Sequence, residues 1–172
     1  MIRGEQVVLR AIERADLPNY VAWLNDERVL EYFGRFLPWT LSQEENWYER
    51  MLDDASVCNL AVEFEGRHVG GAGFSHIDGR TRSAEVGLFF GLPELWDRGL
   101  GYDTLRALLT FGFEQMNLNR IALRVFEENK RAVHLYEKVG FQHEGRWRQA
   151  DFRHGRYHDT LWMSVLRNEW QG

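Results

Sequence analysis

A chain of 172 residues is long enough to bury one proper core and too short to require a second domain. Its 44% hydrophobic and 27% charged residues describe a globular protein, and a net charge of −5 (21 Lys plus Arg against 26 Asp plus Glu) argues against a basic face for gripping DNA or RNA. The single cysteine, Cys58, excludes an intrachain disulfide framework or a thiolate cluster, and no apolar run approaches the length of a membrane span.

The first residues, MIRGEQVVLR, match neither a signal nor a transit peptide, so the cytoplasm is the default compartment and residues 1–172 are read as one domain. Residues 6–11 (QVVLRA) read as a strand. Asp16 then caps a helix with Pro18 in its first turn and Leu17, Val21 and Leu24 on one face, and residues 25–30 form a second short helical piece. After the aromatic loop FGRFLPWT, Ser42 and Glu45 have the spacing of a capping box for a helix carrying Trp47, Met51 and Leu52.

Residues 57–64 are strand-like, with Cys58 read as core packing. Glu65, Gly66 and Arg67 form a hairpin turn, residues 68–77 return, and Asp78-Gly79 turns the chain into a third antiparallel strand at 82–90. Pro93, Gly99 and Gly101 break the chain after that strand. A helix then carries Leu105, Leu108, Leu109, Gly112 and Met116 at helical spacing. Residues 119–126 alternate into a strand, Asn129 caps a helix stopped by Gly140, and residues 141–166 read as two strands joined at His154-Gly155. The sum is an α/β (α+β) chain with a mostly antiparallel sheet of about seven strands and about four helices.

Chemistry is concentrated at two places. Gly99 and Gly101 sit between an apolar strand and an amphipathic helix, where unpaired N–H groups and the positive end of the helix dipole favour a phosphate. Thr104 in place of a third glycine departs from a dinucleotide fingerprint, and no Gly-Lys-Ser/Thr succeeds it to make a nucleoside-triphosphate loop. A Gly-x-Gly turn alone is more often structural, so position carries the functional reading. In the second place, Asn129 and Tyr136 lie seven residues apart, on one face of a helix.

The segment from ELWDRGLGYD through NKRAVHLYEKVGF resembles the acyl-CoA-binding half of the GNAT N-acetyltransferase superfamily. Together with AEVGLFFG, EGRWR, YHDTLWMSVLRNEW and the N-terminal VVLRAIERADLPNYVAWLNDERV, it resembles the RimJ/RimL branch over essentially the whole chain. The resemblance implies the GNAT fold, with a splayed central sheet, and acetyl-CoA as co-substrate with no metal. It implies that the amides of Arg98, Gly99, Leu100, Gly101, Tyr102 and Asp103 hold the CoA pyrophosphate, that Leu88, Phe89 and Phe90 pair with the pantetheine arm, and that Asn129 contacts CoA or ordered water. Trp96 stands where the superfamily has Gln or Arg, which removes a polar side chain and leaves the backbone cradle. Tyr136 takes the role of general acid for the departing thiolate, since a phenol with a pKa of about 10 is protonated at neutral pH.

Glu85, in the strand before the glycine turn, is the candidate base, weighed against a structural carboxylate. The acceptor amine is expected between the loop 32–40 and the hairpin around 152–157, with Phe33, Phe36, Trp39 and Tyr157 as lining or as core. Acceptor classes implied are a protein N-terminus, as in the ribosomal branch, or a polyamine, amino sugar or antibiotic; a homodimer is compatible with the resemblance. A non-catalytic CoA-binding module on the same fold and an unrelated nucleotide-binding domain are the contrasting readings. Elsewhere, Arg146, Arg148, Arg153 and Arg156 alternate with Asp151 and Asp159 as a solvated strand face, His154 and His158 flank a hairpin turn rather than share a helix face, and His76, Asp78 and His134 read as turn and surface residues.

Overall fold

The computed structural model describes residues 1–34 and 36–172. Two N-terminal strands, β1 (Ile2–Arg3) and β2 (Val7–Ala11), lead through a 3-10 turn into α1 (Leu17–Trp23), α2 (Glu27–Leu30) and α3 (Leu41–Asp53). Then come β3 (Cys58–Phe64), β4 (Arg67–Asp78), β5 (Ser83–Phe90), α4 (Leu100–Glu114), β6 (Arg120–Phe126), α5 (Lys130–Val139), β7 (Gln142–Arg153) and β8 (Arg156–Leu166). The strands form one sheet in the order β1-β2-β3-β4-β5-β6-β8-β7, antiparallel at every neighbour except the parallel pair β5–β6. The eighth strand, beyond the expected seven, is the two-residue β1, and the fifth helix is the single-turn α2.

Turn chemistry sets the hairpins. Glu65 (φ 51°) with Gly66 (φ 74°), and His154 (φ 48°) with Gly155 (φ 76°), both take two successive left-handed residues, the geometry whose twist matches paired strands. Two caps differ from expectation. The capping box of α3 is Thr40 with Gln43, two residues before Ser42 and Glu45. Asp16 occupies the cap position of α1 without capping it, because its carboxylate is taken by Arg10 at 2.7 and 2.8 Å and by the Glu13 amide at 2.8 Å.

The sheet buries both faces, as alternation along β5 shows. Ala84, Val86, Leu88 and Phe90 join the core under α4 and α5, while Phe89 joins Tyr20, Trp23 and Tyr48 under α1 and α3. In α4, Leu105, Leu108, Leu109 and Phe113 are at most 2% exposed, each such burial contributing about 1.5–3 kcal/mol. The parallel ladder is only three residues long: Ser83 with Arg120, Ala84 with Ile121, and Glu85 with Ala122. Past Glu85, β5 stays with β4 and β6 stays with β8, so the sheet splays and leaves one backbone edge of β5 open.

Candidate active site

The open edge of β5 leads directly to the start of α4. Gly99, at φ 82°, is the left-handed residue that aims the helix N-terminus back toward that edge, and no side chain caps it. The amides of Gly99, Leu100, Gly101 and Tyr102 find no acceptor among the described residues, leaving four convergent donors at the positive end of a fifteen-residue helix. That donor set fits a pyrophosphate. Asp103 is spent otherwise: its amide donates to Gly99 O at 3.1 Å, and its buried carboxylate accepts from the amides of Glu5, Gln6 and Val7 at 2.7, 2.7 and 2.9 Å. The cradle therefore narrows to Gly99 through Tyr102, flanked by Arg98, whose guanidinium lies over the Phe64 ring at 5.3 Å.

Trp96 closes the end of β5 instead of reaching a phosphate. Its indole N–H donates to Phe90 O at 3.0 Å, and Arg131 lies over its ring at 4.4 Å. Leu88 and Phe90 face α4 and α5, whereas Phe89 points through to the opposite face, so the three residues divide between the two sides of the splay.

A cleft of about 730 Å³ occupies the splay, lined by Glu85 through Phe89 of β5, by Arg124, Val125 and Phe126 of β6, and by Tyr136 of α5. Asn129 caps α5 by accepting from the Ala132 amide at 3.1 Å, which fixes the helix that presents Tyr136 two turns later. Tyr136 is 9% exposed and set edge-on to Phe141, and burial pushes its hydroxyl up to about 12, so it stays protonated across the neutral range. Glu85 sits at the last rung of the parallel ladder. Arg124 Nε donates to its carboxylate at 3.1 Å, and His76 Nδ1 is 3.6 Å away, so His76, read from the sequence as a surface residue, stands beside the candidate base.

The far wall comes from elements distant in sequence. Tyr32, Phe33, Gly34 and Trp39 of the loop line the cleft, with Tyr20, Glu44 and Trp47 from α1 and α3 and Trp147, Ala150 and Asp151 from β7. Glu44 is 3% exposed and accepts from the Trp39 indole at 2.6 Å. Phe36 (84% exposed) and Tyr157 (63% exposed) are not among the lining residues, and of the loop 32–40 Arg35 lies outside the described residues. The expected solvated arginine face also fails at Arg153. Its side chain is 11% exposed, stacked over Phe126 at 4.1 Å and Tyr32 at 5.5 Å, with Nη1 donating to Glu31 O, so it ties the loop to the C-terminal hairpin. Glu44, Asp151 and Tyr20 carry no local motif, and only the sheet order brings them together.

Among known proteins, the family model described as an acetyltransferase (GNAT) domain matches residues 6–142. The spermidine N(1)-acetyltransferase of Vibrio cholerae is 31% identical over 169 residues, covering 97% of this chain and 96% of its own. The putative ribosomal N-acetyltransferase YdaF of Bacillus subtilis is 28% identical over 125 residues, covering 73% and 68%. The crystal structure of spermidine N-acetyltransferase from Vibrio cholerae in complex with CoA and spermine superposes with a TM-score of 0.90 at 30% identity, covering 95% of this chain and 97% of that one.

Proposed function

The chain belongs to the GNAT acetyltransferase family and is an acetyl-CoA-dependent N-acetyltransferase, and on that premise we propose that its acceptor is a polyamine of the spermidine class. The observation that carries the acceptor is the cleft wall. Three carboxylates, Glu44, Glu85 and Asp151, arrive from three separate elements among aromatic rings; Arg124, the one cation among the described lining residues, is paired to Glu85, and Arg153 lies 3.5 Å from Asp151. Such a wall favours a slender, multiply cationic chain over an anionic or bulky acceptor. The likeness to spermidine acetyltransferases along nearly the full chain supports the same reading, and the RimJ/RimL-like branch accommodates it.

The donor site proposed is the open edge of β5 at Leu88, Phe89 and Phe90 for the pantetheine arm and the amides of Gly99 through Tyr102 for the pyrophosphate, with Arg98 beside them. Acetyl-CoA supplies the thioester carbonyl and a thiolate leaving group. The chain's own residues do the rest. A polyamine nitrogen near pKa 10.4 costs about 4–5 kcal/mol to deprotonate at pH 7, so a carboxylate at the reaction centre matters. Glu85 holds the ammonium and takes its proton, directly or through water, as the C–N bond forms. Tyr136 gives its hydroxyl proton to the departing sulfur as the C–S bond breaks, and Asn129 holds the helix that aims it.

A protein N-terminus is the second reading, favoured by the likeness to the putative ribosomal enzyme and weakened by its shorter coverage. Thiol release from acetyl-CoA across an amine panel tests the assignment. Stimulation is expected to be strongest with spermidine and spermine. Stimulation by N-terminal peptides or amino sugars without polyamines, or CoA binding with no acceptor-stimulated thiol, would overturn it.

A further inference from the structure

We infer that the Tyr20 hydroxyl is a specificity-determining contact for the acceptor, taking a hydrogen bond from a second, non-reacting ammonium of the amine. The inference rests on the polyamine assignment. Tyr20, on α1, is 4% exposed, and its ring is fixed edge-on to His68 at 5.0 Å and Trp23 at 5.7 Å, with Phe89 at 5.9 Å. Its hydroxyl is buried and has no hydrogen-bond partner among the described residues. A buried hydroxyl left unpaired is destabilising, and the same ring without it, as Phe, packs equally well at no such cost. The cleft that Tyr20 lines is the route by which a partner can reach it.

Position supports this. Tyr20 lines the cleft together with Gly71, Phe33, Glu44 and Trp47. A β-carbon at Gly71 would stand 3.1 Å from the Tyr20 hydroxyl oxygen and 2.8 Å from the Phe89 ring, so the missing side chain is what leaves room beside the hydroxyl on the floor of the cleft. Electrostatics then selects the partner. Burial chiefly, and the carboxylates of Asp16 and Glu44 in addition, push the Tyr20 hydroxyl well above its ordinary range against a smaller opposing effect of Arg10, so it remains neutral. Two carboxylates acting on that oxygen favour a cationic neighbour, and the free lone pairs accept from an ammonium N–H. Asp16 itself is committed to Arg10 and the Glu13 amide and leaves the hydroxyl unclaimed.

The test is steady-state kinetics of Tyr20→Phe with spermidine and with a monoamine that lacks a second cation, alongside thermal melting of the free protein. The expected result is a KM for spermidine raised about 10- to 150-fold, the equivalent of one hydrogen bond to a charged group, with kcat and the KM for acetyl-CoA unchanged. The monoamine KM should not move, and Tm should hold or rise. An unchanged spermidine KM, an equal loss with the monoamine, or a lowered Tm with kcat and KM both impaired would overturn the inference. If the wild type acetylates no polyamine, it is the acceptor assignment that fails.

Discussion

Gly101 and Leu135 meet where α4 and α5 close over the end of β5: a β-carbon at Gly101 would stand 3.2 Å from Leu135 Cδ2, and 3.9 Å from both Leu88 and Phe90. The glycine thus leaves the helix amides uncovered while keeping the two helices in contact. Gly101→Val forces side chain into that space, at about 1–3 kcal/mol of overpacking, and pushes bulk toward the four open amides. The expected outcome is a folded protein whose Kd for CoA, measured by calorimetry, rises about 10-fold or more. Wild-type affinity would move the pyrophosphate away from this helix end.

Tyr136→Phe keeps the buried ring and its edge contact with Phe141 while removing the only proton the side chain can give. Loss of a positioned general acid lowers kcat by about 100-fold or more. The KM for acetyl-CoA should stay within about 2-fold, because the hydroxyl contributes to the transition state rather than to ground-state binding. Wild-type turnover in this variant removes Tyr136 from the mechanism.

Glu85→Gln preserves shape and the strand register with Ser75 and Ala122. If the carboxylate takes the proton from the attacking ammonium, the acidic limb of the kcat/KM profile for spermidine is lost and turnover falls. An unchanged acidic limb rules the role out and leaves Glu85 as the partner of Arg124.

Asp103→Ala separates architecture from donor binding. Three backbone donors, at Glu5, Gln6 and Val7, lose a buried carboxylate, which costs about 2–4 kcal/mol once water reaches the turn. Urea unfolding should show a lowered midpoint with an unchanged slope. A stable variant with weakened CoA binding would return Asp103 to the donor site.

Much of the fold is legible in the sequence because local chemistry dictates it. Asn129 as a cap, Gly140 at φ 113° ending α5, and the hairpin turns at Glu65-Gly66 (expected to include Arg67, which instead begins β4) and His154-Gly155 each depend on the conformational preferences of one or two residues. The α3 cap shows where that ends. Thr40 with Gln43 and Ser42 with Glu45 carry the same pattern, and the choice is tertiary, since Asn25 grips both the amide and the carbonyl of Trp39 and fixes where the helix begins. Strand β1 leaves no trace in the sequence because two residues have no periodicity, and it pairs only where Asp103 gathers the turn after it. On the proposed donor side, contiguous from Glu85 to Tyr102, spacing marks the strand, glycine turn and helix start, and the family resemblance supplies the CoA reading. The acceptor side cannot, because Tyr20, Glu44 and Asp151 meet only through the sheet order, and exposure, not residue type, separates Phe33 from Phe36.

The acceptor assignment is tested most directly by product identification. The protein is offered acetyl-CoA with an equimolar mixture of spermidine and peptides bearing free N-termini, and the acetylated species are resolved by mass spectrometry. Acetylspermidine is expected to form first and to dominate. Peptides acetylated at their α-amines with spermidine untouched would contradict the assignment.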